Sequence, residues 1–278
     1  MAVIHILGGD KLKKREFFIL KILITVVSFI VLVVAKSNID WSNLQNNYID
    51  FSLVKEIVYD LAVGVFSAMI LVWFIDEISN RIQEHQSQEK EKASIKRFDK
   101  VLQRYIDQYI TLFYCVATPL QDRKFDNVEM PEQFTLKDMC DLHQTSTLIQ
   151  EKFSSGSVES FLQIELDLRK EFISLVERNE FEYYPQFADI FLSYIQISLH
   201  YDSRSAILDA PNRTIGNKKL TNFIHDLLEN NADDYYQKML NGENISANLA
   251  HPYIFLYEMM KEERKLILQY QDEIKKLV

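Results

Sequence analysis

Two nearly unbroken apolar blocks stand out against an otherwise mixed chain. Residues 17–35 read FFILKILITVVSFIVLVVA with Lys21 as the sole charge, and residues 57–75 read IVYDLAVGVFSAMILVWFI with Asp60 as the sole charge. At about 1.5 Å rise per residue each forms a helix of roughly 28 Å, long enough to cross the hydrocarbon core of a bilayer. Both charges lie about one turn inside their block, where the Lys21 stem can snorkel to the headgroups at modest cost. Trp41 and Tyr48 in the connector, and Trp73 near the far end, suit interfacial belts. The pattern predicts a transmembrane hairpin over residues 17–77, with the lipid bilayer as the first partner.

From Ile78 to Thr118 the chain has neither Gly nor Pro, so the second span is expected to continue as one helix and stop before Pro119. Residues 83–94 (QEHQSQEKEKAS) are almost wholly polar and read as a solvated stalk. Apolar residues then return at Phe98, Leu102, Tyr105, Tyr109, Leu112 and Val116, alternating by four and three. That spacing is a seam either for a helical bundle or for a coiled coil between copies. Residues 78–118 are therefore a connecting helix, and 119–278 a helical domain.

Within that domain, residues 120–133 form a loop containing Pro131. Thr135 and Asp138 resemble a capping box that opens a helix through about Phe153, and Ser157 caps the next helix. Phe161, Ile164, Leu168, Phe172 and Val176 recur at helical spacing, and an aromatic helix around Phe187, Phe191 and Tyr194 follows Pro185. Residues 209–217 read as a turn-rich loop. Helices are expected near Lys218–Glu229 and Asp233–Leu240, and a last one begins near Pro252, a residue suited to the first helical position. The predicted fold class is all-α, with seven or eight helices and a membrane hairpin at the N-terminal end.

Composition supports long helices, since 278 residues include only six Gly and five Pro. The net charge of -9 falls almost entirely after residue 77, where 24 Lys+Arg face 32 Asp+Glu. That balance opposes the phosphate attraction behind general nucleic-acid binding. Lys11, Lys13, Lys14 and Arg15 precede the first span, and Arg81, Lys90, Lys92, Lys96 and Arg97 follow the second, whereas the connector has only Lys36 and Lys55. The positive-inside rule places both termini, including residues 1–16, in the cytoplasm. A cleaved signal peptide fits less well, because the first run is too long and no A-x-A pattern follows Ala35.

No catalytic, cofactor or metal motif emerges. The six histidines are scattered, Cys115 and Cys140 lack CxxC spacing, and GxxxxGK[ST], GxGxxG and GxSxG are all missing. His143 stands near Cys140 and Asp141, but neighbours on a helix do not share a face. The reading is of a protein that is not an enzyme, with an unrecognised site as the lesser alternative. Polar and small residues inside the spans are the better candidates. Asp60, Gly64, Ser67 and Ala68 share one face of the second span, and Gly64 with Ala68 forms a small-xxx-small pair. Lys21, Thr25 and Ser28 line the first. In an antiparallel hairpin Lys21 lies near one membrane edge and Asp60 near the other, so they cannot pair within one chain. These faces either pack the hairpin or a dimer, or line a seam between subunits that can hydrate.

The run YDLAVGVFSAMILVWFIDEISNRIQE resembles the second span of bacterial two-transmembrane membrane effectors in antiphage systems, including retron-associated ones. The likeness covers the hairpin and stalk, about a third of the chain, and implies no catalytic residue. It implies that the tail is held by a cytosolic protein or nucleoprotein regulator, and that release lets homo-oligomers assemble and damage the inner membrane. A membrane-anchored adaptor that recruits a cytosolic complex is the alternative expectation.

Overall fold

The computed structural model describes residues 3–37, 51–124, 126, 128–145, 156–243 and 249–277, with side chains from residue 18 in the first helix and 53 in the second. Trp41, Tyr48 and the part of the helix expected from residue 146 to Phe153 fall outside these residues. The fold is all-α: seven α-helices, three 3₁₀ turns and one very short hairpin of strands make up the described elements. The chain divides into two compact units, residues 1–87 and 88–278.

In the first unit, α1 (Val3–Lys36) and the first part of α2 (Phe51–Val116) run antiparallel. Phe18 meets Trp73 and Phe29 meets Phe66, with ring centroids 5.5 and 5.7 Å apart. Lys55 Nζ donates to the Ser37 carbonyl at 3.2 Å. The covered positions on α2 are Lys55, Tyr59, Ala62, Phe66, Met69, Trp73 and Asp76, alternating by four and three as an interhelical seam requires. Outside the seam the apolar side chains point away, with Leu23, Leu61 and Phe74 all more than half exposed. Both helices are long and apolar enough to cross a membrane. A water-soluble pair would not leave so continuous an apolar surface uncovered.

The second unit is a bundle built on the rest of α2. Glu91 accepts the backbone N–H groups of Tyr183 and Tyr184 at 3.2 and 3.1 Å, which ties the last polar turn to the connector before α4. Beyond it, Leu102, Tyr109, Leu112 and Val116 are buried and Phe98 and Tyr105 partly so, joined by Ile95, Ile106 and Phe113. The seam expected from sequence is thus spent on the bundle core. The helices α3 (Ser157–Arg178), α4 (Pro185–His200) and α7 (His251–Leu277) complete it, with α4 packed against both others. Phe172 stacks on Phe191 at 4.6 Å, and Tyr109 tilts against Phe161 at 5.2 Å. Such ring pairs add modestly to the burial of apolar area that dominates the core.

Three local expectations need correction. Thr135 and Asp138 form only half of the box: the Asp138 carboxylate accepts both the Thr135 N–H at 2.7 Å and its hydroxyl at 2.8 Å, while the Asp138 N–H donates to the Thr135 carbonyl. Only a 3₁₀ turn at Lys137–Met139 comes after them, and turns continue to residue 143. Ser157 does not cap α3: Gly156 occupies that position, and the buried Ser157 hydroxyl donates to the Gln144 carbonyl at 3.0 Å. Gly156 is required there, because a Cβ would lie 2.8 Å from the His143 carbonyl oxygen. The two helices expected between residues 218 and 240 are one, α6 (Leu220–Leu240), carried through Asn230 and Asn231 by the burial of Leu227, Leu228 and Ala232. Before it come α5 (Arg204–Asp209), a 3₁₀ turn at Ala210–Asn212 and the hairpin β1 (Thr214–Ile215) and β2 (Lys218–Lys219), with Gly216 in its turn at φ +59°.

Candidate functional site

The sequence-selected residues of the two spans separate into an inner and an outer set. Lys21, Thr25 and Ser28 lie on the seam between α1 and α2, with Ser28 buried. The two hydroxyls donate back to their own helix, Thr25 to the Lys21 carbonyl at 2.8 Å and Ser28 to the Thr25 carbonyl at 2.9 Å, so neither requires a partner across the seam. Lys21 forms an ion pair with Asp76. The sequence reading found no mate for Lys21 because it weighed only charges inside the apolar blocks, and Asp76 is the first residue past the second one.

Asp60, Gly64, Ser67 and Ala68 are all exposed. At about 100° per residue they centre roughly 170° around α2 from the seam that meets α1. The expectation that this face packs the hairpin is therefore corrected, because α1 covers the opposite side. A Cβ added at Gly64 would meet nothing within 4 Å. The small-xxx-small face is left for something outside the described hairpin.

A different polar centre occupies the core of the second unit. Glu165 on α3 and Glu263 on α7 are both fully buried. Glu165 is held by an ion pair with Arg204 and by the Ser198 hydroxyl, which donates to it. Arg169 in turn donates to Ser198 Oγ at 3.0 Å, and Arg204 to Asp202 at 3.0 Å. The Tyr109 hydroxyl donates to Glu263 Oε2 at 2.8 Å. Glu263 Oε1 and the Tyr194 hydroxyl are buried with no hydrogen-bond partner. Burial, then the nearby charge of Glu165, holds the Glu263 carboxyl well above its usual range, which favours its neutral form. Burial also raises the Tyr109 and Tyr194 phenols. Arg204 reaches from this pair to a cleft of about 390 Å³ lined also by Gln108, Glu159, Gln163 and Asp167. The carboxyls themselves do not open to the cleft, which suits them to fixing the packing of α2, α3, α4 and α7 rather than to proton transfer with a substrate.

The third grouping lies where α6 packs on the 3₁₀ turn. Cys140, Asp141 and His225 place their ligand-type atoms within 4.8 Å of one another. His225 Nε2 lies 3.1 Å from Asp141 Oδ1, while Asp141 Oδ2 accepts the Leu120 N–H at 2.8 Å. His225 Nδ1 faces Asp226 and Glu229 at 3.8 and 3.9 Å. Burial, with Asp141 and Glu229 nearby, raises the Cys140 thiol to about 11. Arg123 is buried close by, its Nε–H donating to the Thr118 carbonyl at 3.0 Å and its two terminal nitrogens lacking partners. Burial lowers its pKa.

Sequence reasoning weighed Cys140 and Asp141 with His143, two positions along the chain. His143 instead turns to α7, where Nε2 lies 2.9 Å from the Tyr253 hydroxyl, and burial lowers its pKa to about 4. The histidine that joins Cys140 and Asp141 is 84 residues from Asp141, a separation for which no spacing rule exists. Comparison with known protein families, curated proteins and solved structures gives no match.

Proposed function

We propose that the protein is a non-enzymatic, oligomerising effector of the bacterial inner membrane, active in phage defence. In this reading both termini are cytoplasmic, and a cytosolic protein or nucleoprotein regulator holds the acidic helical domain until a trigger releases it. The observation that carries assembly is the exposed Asp60–Gly64–Ser67–Ala68 face with open space over Gly64. Lipid supplies no hydrophobic drive between helices, so close approach over small residues is what favours association. An aspartate near the membrane edge also favours a wet or protein neighbour over lipid. Several α2 helices meeting on this face would bring a ring of Asp60 and Ser67 together and give ions a polar route.

Membrane potential, read with a voltage-sensitive dye in cells expressing the full chain with its neighbouring genes and native trigger, tests the proposal. Depolarisation is expected for the natural chain and its loss for Gly64→Leu, which blocks close approach. Depolarisation unchanged by Gly64→Leu removes this face from the mechanism. An unchanged potential for the natural chain under every condition favours the anchored adaptor.

A further inference from the structure

We propose that Cys140, Asp141 and His225 bind a divalent metal ion of the zinc class, with a solvent molecule completing the tetrahedron. The site is independent of the membrane reading. Tetrahedral zinc, with ligand bonds of about 2.0–2.3 Å, holds its ligand atoms roughly 3.3–3.8 Å apart. The His225–Asp141 separation of 3.1 Å is already near that range, and all three donor atoms lie within 4.8 Å, so rotamer adjustments bring them to it. A mixed sulfur, nitrogen and oxygen donor set suits zinc better than magnesium or calcium, which take oxygen.

The surroundings carry further features of a metal centre. Glu229 stands one helical turn after His225 on α6, with its carboxylate 3.9 Å from His225 Nδ1, the ring nitrogen on the side away from Asp141. Asp226 faces His225 Nδ1 and serves as the outer carboxylate that sets the ring's tautomer, while the Leu120 N–H anchors the second oxygen of Asp141. The thiol proton would be released to solvent on binding. A His225–Asp141 hydrogen bond alone accounts for two of these groups, but not for the convergence of Cys140. The ion would fasten the segment after Leu120 to α6.

The test uses full-length protein in detergent micelles, stripped with a chelator and titrated with Co²⁺, then with Zn²⁺. One equivalent of Co²⁺ is expected to give the visible bands of a tetrahedral ion and a thiolate-to-cobalt charge-transfer band, and Zn²⁺ should displace it. Cys140→Ser should abolish the charge-transfer band, and His225→Gln should weaken binding at least tenfold. Cys115→Ser should keep the band. Failure of the natural protein to bind an equivalent of either ion overturns the proposal, as does a band that persists in Cys140→Ser. Because the natural chain alone is decisive, a variant that misfolds does not blunt the test, and a negative result leaves the Gly64→Leu measurement untouched.

Discussion

Leu23, Leu61 and Phe74 of the hairpin point outward while Lys21, Thr25 and Ser28 line its seam; in residues 88–278, Leu102, Phe161 and Leu168 are fully enclosed and the charged groups lie mostly outside. Both units are helical, and both use a seam with alternate spacings of four and three. What differs is the solvent each surface is written for. In water, apolar burial drives helices together. In lipid that drive is lost, and small side chains with internally satisfied hydroxyls decide which faces meet. The ion pairs differ in the same way. Lys21 and Asp76 lie at the ends of the two apolar blocks, whereas Glu165 needs Arg204, Ser198 and the surrounding network to remain in the core.

Equivalent substitutions should expose the contrast most sharply. Leu168→Ala, at a fully buried position, should destabilise the 88–278 unit by about 2–5 kcal/mol, read from the shift of its urea unfolding midpoint. A cost near zero would mean that this core is not close-packed. Glu263→Gln probes the buried acid pair through pH. Because folding raises the Glu263 pKa, its stability contribution is full below the unfolded carboxyl value and is lost as pH rises toward the folded one. The natural unit should therefore lose up to about 1.4 kcal/mol per pH unit from this group over that window. Glu263→Gln, which never ionises, should flatten the profile and gain stability relative to the natural chain toward pH 8. Parallel unfolding profiles for the two proteins would show that Glu263 does not fold as the neutral acid. Smallest of all, Leu20→Ala on the exposed side of α1 should change hairpin stability in bilayers by under about 0.5 kcal/mol, measured by detergent titration. A loss as large as that at Leu168 would mean that another protein surface, rather than lipid, covers Leu20.

The helical class, the long α2 and its end before Pro119 were legible because they depend on local pattern and on missing breakers. The seam from Phe98 to Val116 was legible too, although spacing alone could not say whether a bundle or a second copy filled it. Thr135 and Asp138 show the limit of local rules: the Asp138 carboxylate accepts the Thr135 N–H, yet the helix ends after one turn because packing against α6 governs the next residues. Residues 218–240 show the converse, where two helices were expected and the burial of Leu227, Leu228 and Ala232 carries one through. For the site residues, periodicity grouped Asp60, Gly64, Ser67 and Ala68 on one face but could not say which face α1 would take. Long-range groupings such as Glu165 with Glu263, or Cys140 with His225, depend on tertiary packing and leave no mark in spacing.

The Lys21–Asp76 pair also sets an order of events during biosynthesis. The partners are 55 residues apart, so at roughly 5–20 residues per second the ribosome delivers Asp76 about 3–11 s after Lys21. Through that interval α1 is already made while the carboxylate that will meet its lysine does not yet exist. Whatever holds α1 in place during that interval, Asp76 does not, and the ion pair closes the hairpin only as the second helix finishes emerging.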